Sequence, residues 1–336
     1  MSELTFPREW SQIKALASEV LHERAKKNAP GWLDEKGGFG TGWSFRRNRE
    51  AFEDYAFEMH LFHEIKNPTT ETTILGQRLS SPIMIAPMSR VIVQVCGEET
   101  FALMARGAKL AGAAASIGYS AKAQDLESMA KEGAPFFHAI KPLRDRDSFV
   151  AEMRLAEQAG CFAIALDIDS IAGLNGAGDD PKGDVTNRPL SPAEIRALRA
   201  ETRLPFVLKG IMSVRDAEAA VDVGADAIIV SNHGAHVMDY CLPSIKVLPK
   251  IAEAVGDKVE VWFDSGVRRG TDVLKALALG ADAVLIGRVA LWGLALGGAD
   301  GLAHVLNLLN DELRRNMLLT GVGSIEEISS SIVVPV

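Results

Sequence analysis

The chain repeats one unit, in which a helical stretch ends at a glycine and a short apolar run follows. The text "GADA" occurs at both 224–227 and 280–283. A glycine just past a helix supplies a left-handed cap, and runs that are apolar throughout are typical of strands buried on both faces. The repetition therefore predicts a series of βα units. The glycines that end the helical stretches are Gly112, Gly160, Gly224 and Gly280.

Eight apolar runs are candidate strands, and helical segments fit between them. Eight strands that alternate with helices predict a (β/α)8 TIM barrel. A doubly wound open sheet is the alternative, but it usually carries a glycine fingerprint after its first strand, and "IMIAPMSRV" lacks one. The predicted strands lie near 82–88, 113–119, 136–141, 162–169, 205–210, 227–233, 259–266 and 283–288.

The predicted barrel occupies 81–336, and residues 1–80 form a helical and irregular extension packed on it, within one structural domain. One spacing between strands is unusually long because it contains "SIAGLNGAGDDPKGDVTNRP" at 170–189. A segment so rich in glycine and polar residues predicts a loop over the barrel mouth. The alternative is an insertion without a role.

Composition limits the function classes. The 336 residues carry a net charge of −8 and no basic stripe, which argues against a nucleic-acid partner. The three cysteines, Cys96, Cys161 and Cys241, show neither disulfide nor zinc spacing. We see no signal peptide, and no apolar run approaches about 18 residues. We expect a cytoplasmic protein with a small-molecule substrate, no metal and no membrane partner.

Polar side chains cluster where the predicted strands end, which is the active-site face of such a barrel. The last two ends, "DSGVRRG" at 264–270 and "IGR" at 286–288, offer glycine turns, arginines and a helix beginning near Thr271. Backbone N–H groups, a helix dipole and guanidinium groups favour a phosphate. Arg269 fits a surface ion pair equally well.

Two further strands end in polar residues that packing of an apolar core does not require. Lys209 ends the apolar strand "PFVLK", where a lysine is costly unless it faces an anion or a polar cofactor edge. His233 ends another apolar strand, and Asp169 could orient it as a carboxylate orients a catalytic histidine. Asp167 shares a strand face with Asp169.

These motifs together resemble the FMN-dependent α-hydroxy-acid oxidases and dehydrogenases, the glycolate oxidase and lactate oxidase group. The resemblance runs over roughly 45–330 and is most specific in the C-terminal half. It implies FMN bound in a barrel, a histidine base, reduction of the flavin, and a homo-oligomer of four or more subunits. The motifs that carry it are "PIMIAP" at 82–87, "LKGI" at 208–211, "SNHGA" at 231–235, "DSGVRRGTDVLKALALGA" at 264–281 and "IGR" at 286–288.

The resemblance also implies roles for individual residues. His233 matches the base that takes a proton from the substrate, Asp169 its carboxylate partner, and Lys209 the lysine that faces flavin N1 and O2. His233 and His236 are the implied substrate contacts. The implied cofactor contacts are Pro87, Met88, Ser89, Ser116, His138, Asp167, Lys209, Ser231, Asp264, Ser265, Gly266, Arg268, Gly287 and Arg288.

The chain departs from the family pattern where the family binds the substrate carboxylate. His236 replaces one carboxylate-binding arginine, and "DIDSIAGLNGAG" contains no second one. Ile140 stands at the position of an active-site tyrosine, and "PGWLDE" lacks the N-terminal tyrosine. Imidazole is a poor substitute for a guanidinium fork on a carboxylate. We therefore hypothesise a substrate that is larger than a small free hydroxy acid, or that is not a free hydroxy acid, with His236 in contact with it or acting as a spacer.

Two departures affect the cofactor side. His138 stands where the family has a glutamine, and Asp167 where it has a threonine. An aspartate can still accept a hydrogen bond from flavin N3–H, so both changes are compatible with FMN.

Three functions fit these residues. The first is an oxidoreductase that acts on a hydroxylated carbon, with a hydride equivalent reaching flavin N5. The second is a non-redox FMN enzyme similar to the type 2 isopentenyl diphosphate isomerases. The third is a flavin-binding protein without turnover, which the set Lys209, His233 and Asp169 disfavours.

Overall fold

The computed structural model describes residues 6–29, 37–119, 121–143, 145–171 and 187–336. Three short strands precede a barrel of eight strands, and one strand follows it near the C-terminus. The strands are β1 (Tyr55–Phe57), β2 (Thr72–Ile74), β3 (Gln77–Leu79), β4 (Ile83–Ile85), β5 (Ala115–Ile117), β6 (Phe136–Ile140), β7 (Ile164–Asp167), β8 (Phe206–Ile211), β9 (Ala227–Val230), β10 (Glu260–Phe263), β11 (Ala283–Ile286) and β12 (Val333–Pro335).

Strands β4 to β11 form one sheet in the order β4-β11-β10-β9-β8-β7-β6-β5, and its strand pairs are parallel. The sheet closes on itself where Ile85 N donates to Ala114 O at 3.0 Å. This confirms the predicted (β/α)8 barrel, and each barrel strand falls within or next to a predicted one.

Helices surround the barrel. The loop predicted at 170–189 lies largely outside the described residues. The helices are α1 (Trp10–Asn28), α2 (Trp43–Glu50), α3 (Val93–Cys96), α4 (Thr100–Ala111), α5 (Ala123–Glu132), α6 (Arg146–Gln158), α7 (Pro192–Arg199), α8 (Val214–Asp222), α9 (Ser244–Val255), α10 (Gly270–Ala278) and α11 (Arg288–Leu319).

The glycines that follow the helices have the backbone conformation that the repeat predicts. Gly112 and Gly280 have φ values of 65° and 102°, which side chains other than glycine rarely adopt. A Cβ at Gly280 would also lie 2.5 Å from the Cβ of Ala252. The glycine therefore allows both the turn and the close approach of α9.

Alternate residues of each barrel strand face the barrel interior, and the others face the helices. On β6, Phe137 and Ala139 belong to the interior cluster with Trp262, whereas Phe136 and Ile140 pack in the cluster between sheet and helices. The β2–β3 hairpin packs on the interior cluster, and Leu75 N in its turn donates to Glu260 Oε1 at 2.8 Å. Functional side chains must therefore come from the carboxyl ends of the strands.

Two N-terminal helices pack against different parts of the barrel domain. Trp10 Nε1 of α1 donates to Glu312 Oε1 of α11 at 2.7 Å. Arg49 on α2 forms an ion pair with Asp272 on α10. The N-terminal segment is thus tied to the last two βα units of the barrel.

Helix α11 is long and apolar enough to cross a membrane by length and composition, and 72% of its most apolar window is buried within the protein. Gly297 and Gly298 interrupt its helical geometry, with φ values of −164° and 55°. The helix is longer than the apolar runs of the sequence suggested, and it is buried as a core helix is.

Candidate active site

Four charged or titratable side chains meet at the ends of three adjacent strands. Asp167 is the last residue of β7 and pairs in register with Lys209 on β8, while His233 lies three residues beyond β9. Lys209 Nζ donates to Asp167 Oδ1 at 2.9 Å, and it lies 3.3 Å from His233 Nδ1. His233 Nδ1 lies 3.1 Å from Asp169 Oδ1. The structure thus brings together the predicted residues His233, Asp169, Lys209 and Asp167.

The two carboxylates set the protonation of this charged cluster. Burial lowers the pKa of His233, but Asp167 and Asp169 raise it more, so its pKa lies above the usual value of 6.5 despite the nearby Lys209. Burial opposes ionisation of Asp167, yet His233 and Lys209 together lower its pKa. Burial, together with Asp167, raises the pKa of Asp169. Asp167, Asp169 and His233 have the spacing of a metal site, but the ammonium of Lys209 already neutralises Asp167.

The backbone that carries His233 is held in an unusual conformation. His233, Gly234 and Ala235 have φ values of 58°, 63° and 68°. A left-handed conformation costs of order 1 kcal/mol or more for a residue with a side chain. His233 N donates to Ser231 Oγ at 3.0 Å, and Gly234 N donates to Ser265 Oγ at 3.1 Å. Ser231 and Ser265 therefore position the histidine loop.

Helix α2 supports the same loop from the N-terminal segment. The side chains of Asn48 and Asn232 exchange two hydrogen bonds of 2.8 and 2.7 Å, and both residues are buried. Asn232 Oδ1 also accepts from Ala235 N at 3.2 Å. Sequence reasoning missed Asn48, because an asparagine on a polar helix looks like a surface residue until its partner 184 positions away is known.

Arg268 and Arg288 follow β10 and β11. Neither forms an ion pair with a carboxylate among the residues that the structure describes. Burial, with the nearby charge of Arg49, lowers the pKa of Arg268 to about 10, and burial with Arg268 itself lowers the pKa of Arg288 to about 9. Arg268 stacks on Trp292, and Arg288 lies over the ring of Phe45 at 4.1 Å from its centroid. Two desolvated guanidinium groups without anions are the donor set of a phosphate site.

The helix dipole at this site comes from α11. Gly287 caps α11 and Arg288 is its first residue, so the positive end of the dipole lies at the end of β11. The N-terminus of α10, which the sequence suggested, is already occupied. Asp272 accepts from the backbone N–H groups of Arg268 and Arg269, and Glu312 accepts from Gly270 N. Arg269 itself forms an ion pair with Glu312, the alternative that the sequence left open.

The residues after β4 and at β5 lie beside the same mouth. Ser116 is fully buried and donates to Ile85 O at 2.6 Å. Gly118 N donates to Met88 O at 2.9 Å, and a Cβ on Gly118 would lie 2.8 Å from the Met88 carbonyl carbon. Pro87, Met88 and Ser89 are therefore backed by a glycine that lets the two chain segments touch.

At the end of β10, Asp264 and Ser265 form a short polar turn. Ser265 Oγ donates to Asp264 Oδ1 at 2.7 Å, and the φ of Ser265 is 84°. Gly266 contacts α2 closely, since a Cβ there would lie 2.2 Å from Asn48 O. The predicted phosphate turn is thus built against the N-terminal segment.

The structure contradicts the predicted flavin contact of His138. Its ring is fully buried, with Nε2 3.0 Å from Glu152 Oε2 on α6 and Nδ1 3.2 Å from Ile117 O. Because Phe137 and Ala139 face the barrel interior, His138 faces the helices, as does Ile140. The next residue on the interior face is Lys141, which the sequence analysis did not single out.

His236 lies beside the phosphate arginine. Arg288 Nη2 is 3.4 Å from His236 Nε2, so the imidazole nitrogen can accept a hydrogen bond from the guanidinium. Neighbouring side chains desolvate the ring, and together with the charges of Arg288, His233 and Lys209 they lower its pKa to about 4. His236 is therefore neutral at neutral pH and supplies no positive charge for a substrate carboxylate.

Comparisons with known proteins agree with this geometry. Residues 24–182 and 174–335 match the family model described as FMN-dependent dehydrogenase. The chain belongs to the FMN-dependent dehydrogenase family. It is 34% identical to the 2-hydroxyacid oxidase of Dictyostelium discoideum, over 93% of this chain and 88% of that protein. It is 36% identical to the 4-hydroxymandelate oxidase of Amycolatopsis orientalis, over 91% and 94% of the two chains.

A solved structure of mandelate oxidase with 3,3-difluoro-2-hydroxy-3-phenylpropionic acid superimposes with a TM-score of 0.83 at 35% identity, covering 95% of this chain and 97% of that one. This family member is thus an FMN-dependent oxidoreductase of the CH–OH group of 2-hydroxy acids, which leaves the isomerase alternative without support. The unpaired Arg268 and Arg288 fit the FMN phosphate, and Lys209 and Asp167 offer a donor and an acceptor to the polar edge of its ring.

Replacing Arg268 with methionine should weaken FMN binding roughly 10- to 100-fold, because one charge-assisted phosphate contact is lost. Arg269→Met is the matched control, since that neighbouring side chain pairs with Glu312 near the surface. Titration of the apoprotein with FMN, followed by flavin fluorescence, measures both. Equal losses in the two variants would contradict the phosphate assignment.

Replacing Asp167 with asparagine should move the acidic limb of the kcat/KM profile to lower pH. If His233 is the base, it must be unprotonated to act, and Asp167 raises its pKa, so kcat/KM is expected to rise as pH passes through that raised pKa. Without the carboxylate the pKa falls and the rise comes earlier. The exposed Asp257→Asn serves as the control, and an unchanged acidic limb in the Asp167 variant would refute this coupling.

Proposed function

We propose that His233 is the base of the reaction and that Asp169 holds it in place. The observation that carries this is the 3.1 Å contact between His233 Nδ1 and Asp169 Oδ1. It leaves His233 Nε2 as the atom that can take a proton from a substrate hydroxyl. The proton then resides on an imidazolium that Asp167 and Asp169 stabilise.

FMN, held by Arg268 and Arg288 at its phosphate, would supply the two-electron acceptor that oxidation of the substrate's CH–OH group needs. The chain's own residues do the rest. Lys209 pairs with Asp167 and lies beside His233, where its positive charge opposes protonation of the ring and partly offsets the effect of the two carboxylates. The supporting loop fixes the ring before the substrate arrives, because Ser231 and Ser265 hold its backbone N–H groups.

The substrate we propose is a 2-hydroxy acid larger than glycolate or lactate. Two observations support this choice. The neutral His236 removes one strong contact with a small substrate's carboxylate, so more of the binding energy must come from the rest of the molecule. One similar solved structure is that of a mandelate oxidase with (S)-4-hydroxymandelic acid.

Anaerobic mixing of the holoenzyme with glycolate, L-lactate and (S)-mandelate tests the proposal. We expect (S)-mandelate to bleach the flavin fastest, and His233→Asn to slow bleaching about 100- to 10,000-fold at equal FMN content. His22→Asn on α1 is the control. The proposal is wrong if no hydroxy acid bleaches the flavin, or if a product isomeric with its substrate forms while no electron acceptor is consumed.

We also propose that the protein is a cytoplasmic homo-oligomer. The free cysteines Cys96, Cys161 and Cys241 support a reducing compartment, which cell fractionation tests.

An exposed apolar patch supports the homo-oligomer. Met59, Leu61 and Phe62 are exposed, Phe62 by 97%, and such a patch favours self-association. Light scattering on the purified protein should give a molar mass that is a multiple of the chain mass, and the Phe62→Ser variant should give a lower molar mass. A monomer at all protein concentrations would exclude the proposed assembly.

A further inference from the structure

The charges of the site require one more cation at the mouth. Two carboxyl groups, Asp167 and Asp169, lie beside Lys209 and His233, and Lys209 supplies the only positive charge of this group when His233 is neutral. A substrate carboxylate would add a third acidic group to this site. His236 is neutral and beside Arg288, so it does not balance that charge. A carboxylate can bind here only if another cation faces it.

Lys141 has the position that this requirement demands. It directly follows β6 and continues the face of Phe137 and Ala139, which line the barrel interior. Its ammonium is close enough to Asp167, Asp169 and Lys209 for their charges to act on it, and burial lowers its pKa. Lys141 is therefore on the active-site side of the barrel.

Within the described residues, Lys141 makes no ion pair and no side-chain hydrogen bond. Its ammonium contacts the ring of Tyr119, whose centroid lies 5.6 Å from Lys141 Nζ. Desolvating an ammonium without an anion is unfavourable. A lysine kept in this arrangement is suited to receive an anion that arrives with the substrate.

Tyr119 lies two residues beyond β5, the strand adjacent to β6, and is half-buried. Its hydroxyl has no partner among the described residues and can donate to a carboxylate oxygen. Lys141 and Tyr119 thus offer a charge and a hydrogen-bond donor from neighbouring strands, on the β5–β6 side of the mouth, whereas His233 approaches from β9.

We propose that Lys141, with Tyr119, binds the carboxylate of the 2-hydroxy acid substrate in place of the arginine that His236 replaces. The inference rests on the proposed function. In this arrangement the enzyme recognises the charge of its substrate rather than its shape. Lys141 and Tyr119 then distinguish a hydroxy acid from the corresponding neutral amide.

The test compares an acid with its amide on the holoenzyme. In Lys141→Met, the Kd of (S)-mandelate from anaerobic flavin reduction should rise roughly 10- to 100-fold, the range for one charge-assisted contact. The Kd of mandelamide should stay within about twofold of the wild-type value, because the amide has no charge to lose. Lys141→Arg should restore most of the acid binding, and Tyr119→Phe should weaken it by a few-fold.

A second readout is independent of turnover. Benzoate, an anion that cannot be oxidised, should perturb the flavin spectrum of the wild type and lose affinity in Lys141→Met by the same factor as (S)-mandelate. The exposed Lys131→Met on α5 is the matched control and should match the wild type in both experiments. Lys141→Gln serves as a second neutral variant with a polar side chain.

The outcomes separate the two hypotheses. If the wild type is reduced by no hydroxy acid, the proposed function fails. If the wild type is reduced but Lys141→Met and Lys141→Gln bind acid and benzoate as tightly as it does, only the role of Lys141 is overturned. Equal weakening of acid and amide, or failure of Lys141→Arg to restore acid binding, also overturns it, because the lysine would then act through packing.

Discussion

The site depends on the pairing of two carboxylates, Asp167 and Asp169, with Lys209 and His233 at the ends of β7, β8 and β9. Asp167 is 7% exposed and Lys209 is 3% exposed, and the charge of each compensates that of the other. Removing one member of such a set leaves an uncompensated buried charge, which is strongly destabilising. Asp167 and Lys209 are register partners in adjacent strands, so the pairing of β7 with β8 brings their side chains together. Asp167 and Asp169 also raise the pKa of His233, and Asp169 contacts its ring, so the same carboxylates hold the imidazole and set its protonation.

The N-terminal segment belongs to this machinery. The turn of His233 and Ala235 is costly for residues with side chains, and several hydrogen bonds are needed to maintain it. Some come from the barrel itself, through Ser231 and Ser265. Others come through Asn232, whose amide is fixed by Asn48 on α2. Phe39 N adds a bond of 2.7 Å to Ala235 O. The segment before the barrel therefore helps to hold the loop that carries His233.

Much of the fold and part of the site could be predicted from the sequence. The helix–glycine–strand repeat leads to the barrel, and polar residues at strand ends lead to His233, Asp169 and Lys209, because parallel strands bring their carboxyl ends to one face. Side-chain direction was the harder question. Successive strand residues face opposite sides, so an assignment offset by one residue exchanges the interior face for the exterior one. This is why the resemblance pointed to His138 and Ile140, whereas the structure turns both toward the helices and Lys141 toward the mouth. The partners of α10 were equally hidden, since Glu312, which accepts from Gly270 N, lies 42 positions away.

The position of the free cations explains how such a site can tolerate the loss of an arginine beside its base. An arginine at position 236 would crowd positive charge next to Arg288, whose pKa is already lowered to about 9 by burial and by Arg268. A neutral imidazole there avoids that repulsion and can accept a hydrogen bond from Arg288. Lys141, which directly follows β6, places its ammonium near the carboxylates of Asp167 and Asp169. An ammonium on a flexible stem follows an anion over a range of positions, whereas a guanidinium fork fixes one geometry. In the arrangement we propose, Lys141 supplies the charge that a hydroxy acid needs and relaxes the constraint on where its carboxylate must lie.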